Sequence, residues 1–96
     1  MKRWLLIAVV FAPFISVQAT QNPEAVYNRT CVACHEGQLP TAPRRGDRTA
    51  WAPRLAQGMQ TLEEHVTQGF RAMPPRGLCK ECSSEDYRAV IRWMSE

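Results

Sequence analysis

Residues 31–37 read CVACHEG: Cys31 and Cys34 stand three positions apart, and His35 follows the second thiol directly. A chain of 96 residues has room for one domain, and its first residues read as something other than that domain. Met1-Lys2-Arg3 is a basic start, Trp4 to Ile15 is an apolar run broken only by Pro13, and Val17-Gln18-Ala19 suits a signal peptidase. Residues 1–19 are therefore expected to be a signal peptide cleaved after Ala19, leaving residues 20–96 as the domain. The apolar run is well short of the ~18 to 20 residues of a membrane span, so no stable membrane insertion is expected after cleavage. Export to the periplasm places all four cysteines in an oxidising compartment, where each needs a chemical assignment.

Without residues 1–19 the domain keeps 77 residues, and an apolar core of that size supplies a net stability of roughly 3 to 5 kcal/mol or less. Such a domain needs a disulfide, a metal or a large buried cofactor. Cys31-Val32-Ala33-Cys34-His35 matches the attachment pattern of a c-type haem. Thiols at i and i+3 near a helix end lie on one side of the chain and can add to the two vinyl groups of a porphyrin, with His35 placed to ligate the iron. Burying the ring is worth on the order of 10 kcal/mol before costs, so the cofactor would form most of the core. Zinc is the competing reading, because Cys79 and Cys82 make a second Cys-x-x-Cys pair. However, 44 residues separate the pairs, and zinc would leave His35 without a role. Two simple disulfides would leave the domain without a core filler.

The rest of the chain reads as all-α, with four short helices between turn-rich segments. Asn22 caps a first helix with Pro23 at its first position, running into Cys31. Pro40, Pro43 and Gly46 then impose coil. Thr49 or Asp47 caps a short helix through Trp51 and Leu55, with Pro53 near its start and Gly58 ending it. Thr61-x-x-Glu64 is a capping box ahead of the stripe Leu62, Val66 and Phe70, which closes near Gly69. Ser83-x-x-Asp86 opens the last helix, whose inner face is Tyr87, Val90, Ile91 and Met94.

With His35 on one side of an iron, the candidates for the other side are His65, Met59, Met73 and Met94. Met94 lies on an apolar stripe, where methionine usually packs, and His65 at the edge of one. Met59 follows a turn. Met73, in RAMPPRG, stands outside any helix, and Pro74-Pro75 hold its loop stiff and extended. A thioether presented in this way suits a ligand, favours the ferrous state and raises the potential. The domain carries ten Lys+Arg against nine Asp+Glu, so nucleic-acid binding has no global electrostatic support. Arg44, Arg45, Arg48 and Arg54 make a local excess that is either a solvated loop or a docking patch.

These residues resemble the class I cytochromes c, most of all the cytochrome c5 group. The likeness is carried by CVACH, TAPRRGDRTAW, APRLAQGMQTL, AMPPRGLCKEC and SSEDYRAVIRWM, which span nearly all of residues 20–96. It implies a fold whose terminal helices pack together beside one covalently bound haem c, with Cys31 and Cys34 as thioether links and His35 and Met73 as axial ligands. It also implies a Cys79–Cys82 disulfide, although a Cys-x-x-Cys before a helix also reads as a reactive dithiol. Pro43 resembles the position whose carbonyl accepts the His35 Nδ1 proton, and Trp51 and Arg54 are candidates for the haem propionates. The implied function is one-electron transfer between membrane or periplasmic redox proteins, without catalysis by the chain itself. An electron-entry subunit of a larger oxidoreductase and a sensor that exchanges its Met73 ligand are the alternatives.

Overall fold

A computed structural model describes residues 3–13 and 19–96. Part of the expected signal peptide, residues 1–2 and 14–18, lies outside the described residues. Residues 3–13 carry no regular structure, and Trp4, Leu5, Leu6, Ile7 and Phe11 are 84–96% exposed. Among the described residues no helix is long and apolar enough to cross a membrane.

The first helical path starts where the sequence places it. The Asn22 side chain accepts from the Ala25 N–H at 3.0 Å, and Pro23 opens α1 (Pro23–Val26). The path does not stop at Cys31. It widens into a π-turn over Tyr27–Cys31, in which the Val32 N–H reaches back to the Tyr27 carbonyl, and resumes as α2 (Val32–His35). A π-turn inserts one extra residue into the ladder and so re-aims everything after it, here the two thiols and His35. Thr30 follows the bend, its hydroxyl donating to the Val26 carbonyl at 3.0 Å.

Asp47, not Thr49, caps α3 (Arg48–Leu55), accepting from the Ala50 N–H at 3.1 Å. Pro53 sits at the sixth position of this helix, not near its start. The cost is limited because the carbonyl it leaves without a donor belongs to exposed Thr49 and can turn to water. Gly58 does not close α3, which ends at Leu55. Instead, its φ of 97° lets the chain reverse, and Gly58 becomes the N-cap of α4 (Met59–Gln68). That displaces the capping box expected at Thr61-x-x-Glu64, since Thr61 is already inside the helix. Leu62 and Val66 face the core as their spacing requires, and Gly69, at φ 87°, stops the helix before Phe70.

The last helix, α5 (Ser84–Ser95), follows its sequence signal closely. Ser83 and Asp86 form a reciprocal capping box, and Tyr87, Val90, Ile91 and Met94 are all buried. Helices α1 and α5 pack against each other, with α4 against the flank of α5. Val26 and Tyr27 meet the α5 stripe in the main core cluster. Polar ties lock these contacts. Buried Asp86 accepts from the Gln21 backbone N–H (2.8 Å), the Gln21 side chain (2.9 Å) and the Ser83 N–H (2.9 Å). Arg88 donates to Glu63 across α5 and α4 at 2.6 Å, and Arg29 bridges to Glu81 at 2.9 Å. Cys79 and Cys82 are joined as a disulfide, with both residues buried against the core. The Tyr87 hydroxyl donates to the Cys79 carbonyl at 2.9 Å, which fastens the bridge to α5. The architecture is all-α around a central space, and among the described residues the one β-bridge is a short antiparallel pairing of Phe70 with Met73.

Candidate functional site

The helices enclose a cavity of about 340 Å³. The π-turn and α2 supply Cys31, Cys34 and His35 to its wall, the loop after α4 supplies Met73, and α5 closes it with Val90, Ile91 and Met94. Both thiols are unpaired and half-buried. Burial pushes the Cys31 thiol above its usual range, opposed by a hydrogen bond with Thr30.

His35 is fixed on three sides. The residue is 7% exposed, and its Nδ1 lies 2.7 Å from the Pro43 carbonyl oxygen. A carbonyl only accepts, so Nδ1 carries the proton and donates it, leaving the Nε2 lone pair available for a metal. Trp51 lies nearly parallel to the imidazole, 18° between planes with centroids 6.1 Å apart, and the Arg45 N–H holds the His35 carbonyl at 3.2 Å. Trp51 does not face the cavity: it is 4% exposed and spends its indole N–H on the Arg44 carbonyl at 2.9 Å. It backs the histidine and is not placed to serve a propionate. Arg54 does line the cavity, with its guanidinium bonded to the Ala50 carbonyl at 2.6 Å.

Among the four candidates opposite His35, Met59 packs against the main core and His65 stacks on Phe70 at 3.9 Å; neither lines the cavity. Met94 lines it from the buried stripe of α5. Met73 lines it from a loop gripped at its base, where the Met73 N–H donates to the Phe70 carbonyl (2.8 Å) and the Phe70 N–H to the Met73 carbonyl (3.0 Å). Two glycines make this loop possible. A Cβ at Gly69 would lie 3.1 Å from the Met73 carbonyl oxygen and from Pro75, and one at Gly77 (φ 56°) would lie 3.2 Å from the Met73 methyl. Neither role is readable in the sequence, where each glycine resembles an ordinary turn signal.

These residues fit a covalently attached haem. Two free thiols, an imidazole with one nitrogen committed and a loop-borne thioether all border one largely apolar cavity. The alternative in which all four cysteines hold one zinc does not fit, because Cys79 and Cys82 are bonded to each other. Among the described residues no three His, Cys, Asp or Glu side chains converge as metal ligands.

Comparison with known proteins agrees. Residues 18–94 match the family described as "Cytochrome C oxidase, cbb3-type, subunit III". Cytochrome c5 of Azotobacter vinelandii is 39% identical over 77 residues, covering 78% of this chain and 93% of that protein. Cytochrome c-555 of Chlorobaculum tepidum is 41% identical over 58 residues, and the match spans 56% of this chain and 54% of that protein. Among solved structures, a mono-haem ferrocytochrome c from Shewanella putrefaciens superposes with a TM-score of 0.71 at 42% identity, covering 81% of this chain and 96% of that one. A chain from a complex of nitrite reductase with cytochrome c gives 0.69 at 38% identity, covering 80% and 95%. The fold, the cavity and these relatives converge: the chain belongs to the class I c-type cytochromes, a mono-haem electron carrier with one covalently bound haem c.

Proposed function

We propose that residues 20–96 act in the periplasm as a one-electron shuttle between redox proteins, after removal of residues 1–19 as a signal peptide. In this reading Cys31 and Cys34 would hold the haem through thioether bonds, and His35 Nε2 and the Met73 sulfur would hold its iron. The observation that carries it is the convergence of all four side chains on one cavity, with the His35 tautomer set by the Pro43 carbonyl.

The bound haem would supply reversible one-electron chemistry at its iron. The chain's part is positioning and exclusion. The Pro43 carbonyl and Trp51 hold the imidazole in one orientation, so little has to move when the charge changes. Met73, on a loop anchored by the Phe70 bridge, offers a soft ligand that favours the reduced state. Val90, Ile91 and Met94 keep water from the inner wall. If His35 and Met73 both held the iron, they would leave little room for substrate chemistry at the metal, which supports reading the chain as a carrier. A similar cytochrome forms an electron-transfer complex with nitrite reductase, which supports redox proteins as the partners of this one.

Expression with a haem-attachment system tests the reading. The secreted protein should begin at Thr20 and keep its haem through acid-acetone extraction. Met73→Ala should remain red but bind carbon monoxide rapidly when reduced. A chain starting at Met1, or a colourless product, would refute it. The family description as an oxidase subunit favours a second reading, an electron-entry subunit of a larger assembly. Its signature would be stoichiometric co-purification with a membrane oxidase.

A further inference from the structure

A second recess shares no residue with the cavity that His35 and Met73 line. Residues 19–21 form one side of it, and Glu81, Ser83, Glu85 and Asp86 form the other. Gln21 is pinned there through its backbone and its side chain. Its backbone N–H and side-chain amide donate to the two carboxylate oxygens of Asp86 at 2.8 and 2.9 Å, and its side-chain oxygen accepts from Arg29 at 2.8 Å. These bonds fix where the chain enters the fold, one residue after exposed Thr20.

The charges of the recess do not balance. Asp86 is 4% exposed and accepts from the Gln21 backbone, the Gln21 side chain and the Ser83 N–H, and all three donors are neutral. Burial raises its pKa, but the bonds from Ser83 and Gln21 outweigh that and hold it below the usual carboxylate range, so it stays charged at neutral pH. A buried charge is ordinarily paired with an opposite one. Among the described residues Glu85 forms no ion pair, and Arg29 is committed to Glu81. Three carboxylates therefore stand against one guanidinium. The positive end of α5, about half an elementary charge, offsets only part of the excess. A bare metal ion does not fit, because among the described residues no three acidic, His or Cys side chains converge as ligands.

We propose that Asp86, Glu85 and Glu81 form the binding site for the α-ammonium group that cleavage after Ala19 creates on Thr20. The inference rests on that cleavage, which belongs to the function proposed above. While residues 1–19 are attached, the Thr20 nitrogen is a neutral amide. Hydrolysis of the Ala19–Thr20 bond consumes one water and leaves a carboxylate on the departing peptide and an ammonium on the domain. The new cation sits next to Gln21, in the segment that already lies against the acidic side chains. Removing the signal peptide thus supplies the missing positive charge at the tie between the entry to α1 and α5.

Lys80 is the one lysine in residues 20–96, so Lys80→Arg leaves the Thr20 amine as the single primary amine, and an acetyl N-hydroxysuccinimide ester can block it selectively. In the Lys80→Arg holoprotein, acetylation should lower the thermal midpoint at pH 7 by about 2 to 5 °C. With Glu85→Gln added, the same acetylation should cost about half as much or less. The gap between free and acetylated protein should also close in alkali. A free α-amine has a pKa of about 8, the carboxylates raise it, and the stabilisation is lost as pH rises through the raised value. The other charged groups facing the amine, Glu81, Glu85, Asp86 and Arg29, keep their charge across that range. An unmoved or raised midpoint on acetylation, an equal loss in the Glu85→Gln protein, or a gap that persists at about pH 10.5 would overturn the proposal. Intact mass separates the two possible failures. A secreted chain that does not start at Thr20 defeats the cleavage reading and the site with it, whereas a Thr20 start with an unmoved midpoint defeats the site alone.

Discussion

Replacing Gly77 with alanine probes how tightly the loop holds Met73. The new Cβ would lie 3.2 Å from the Met73 methyl and 3.8 Å from a Val66 methyl. Comfortable carbon contacts lie at about 3.5 to 4.0 Å, so the Met73 side chain must retreat by a few tenths of an ångström or strain the bond to the metal proposed for it. Gly77 has φ 56° and ψ 31°, the left-handed region that alanine enters at a cost of about 1 to 2 kcal/mol. Gly58 is the control. At φ 97° and ψ 147° it is less hospitable to alanine, yet a Cβ there would meet nothing within 4 Å. The two variants should therefore cross over: Gly58→Ala loses at least as much thermal stability, whereas only Gly77→Ala disturbs the ligand. If the clash weakens the Met73 bond by about 1 kcal/mol, azide binding to the oxidised protein tightens about fivefold, at 1.4 kcal/mol per factor of ten. The thioether-to-iron charge-transfer band should weaken in parallel. Unchanged azide affinity in Gly77→Ala, or an equal change in Gly58→Ala, would refute the reasoning.

Acid should act through Asp86. Burial raises its pKa, but hydrogen bonds from Ser83 and Gln21 outweigh that and leave it below the usual carboxylate range. Its contribution is thus present above the unfolded-state pKa of about 3.9 and lost as pH falls through the lower folded value. Asp86→Asn should cost about 1 to 3 kcal/mol at pH 7, and its stability should fall less than that of the wild type below about pH 4, a difference visible in thermal melts across pH. Reducing Cys79–Cys82, or replacing both cysteines with serine, should cost roughly 2 kcal/mol by loop entropy and raise azide affinity, because the bridge anchors the chain just after the Met73 loop. Trp51→Phe keeps the ring behind His35 but drops the bond to the Arg44 carbonyl, so about 1 kcal/mol of stability should go while the haem spectrum persists.

Some of this molecule is readable in its sequence because local chemistry decides it. The Ser83/Asp86 capping box, Asn22 followed by Pro23, and the α5 stripe each depend on neighbours a few residues away, and all three stand as the pattern predicts. The start of α4 departs from its pattern for a physical reason. Thr61 and Glu64 carry capping-box chemistry, but Gly58 can adopt a positive φ and nucleates the helix first. Pro53 lies deeper in α3 than its chemistry suggests because its penalty depends on whether the orphaned carbonyl meets solvent, which spacing does not reveal. The π-turn at Tyr27–Cys31 leaves no signature in residue types, yet it sets the direction of the attachment motif. At the site, CVACH announces its own chemistry. Met73 is singled out by its proline-flanked loop in RAMPPRG, whereas the absence of Met59 and His65 from the cavity wall rests on tertiary placement, and the contribution of Gly77 rests on one contact between residues four apart.

Proton NMR of the reduced holoprotein tests the central claim most directly, because a methionine methyl held over the haem face is shifted far upfield by the ring current. The account predicts one such methyl signal in the wild type, retained in Met59→Leu and absent in Met73→Leu. A signal that survives in Met73→Leu, or its absence from the wild type, would contradict the assignment of Met73 opposite His35.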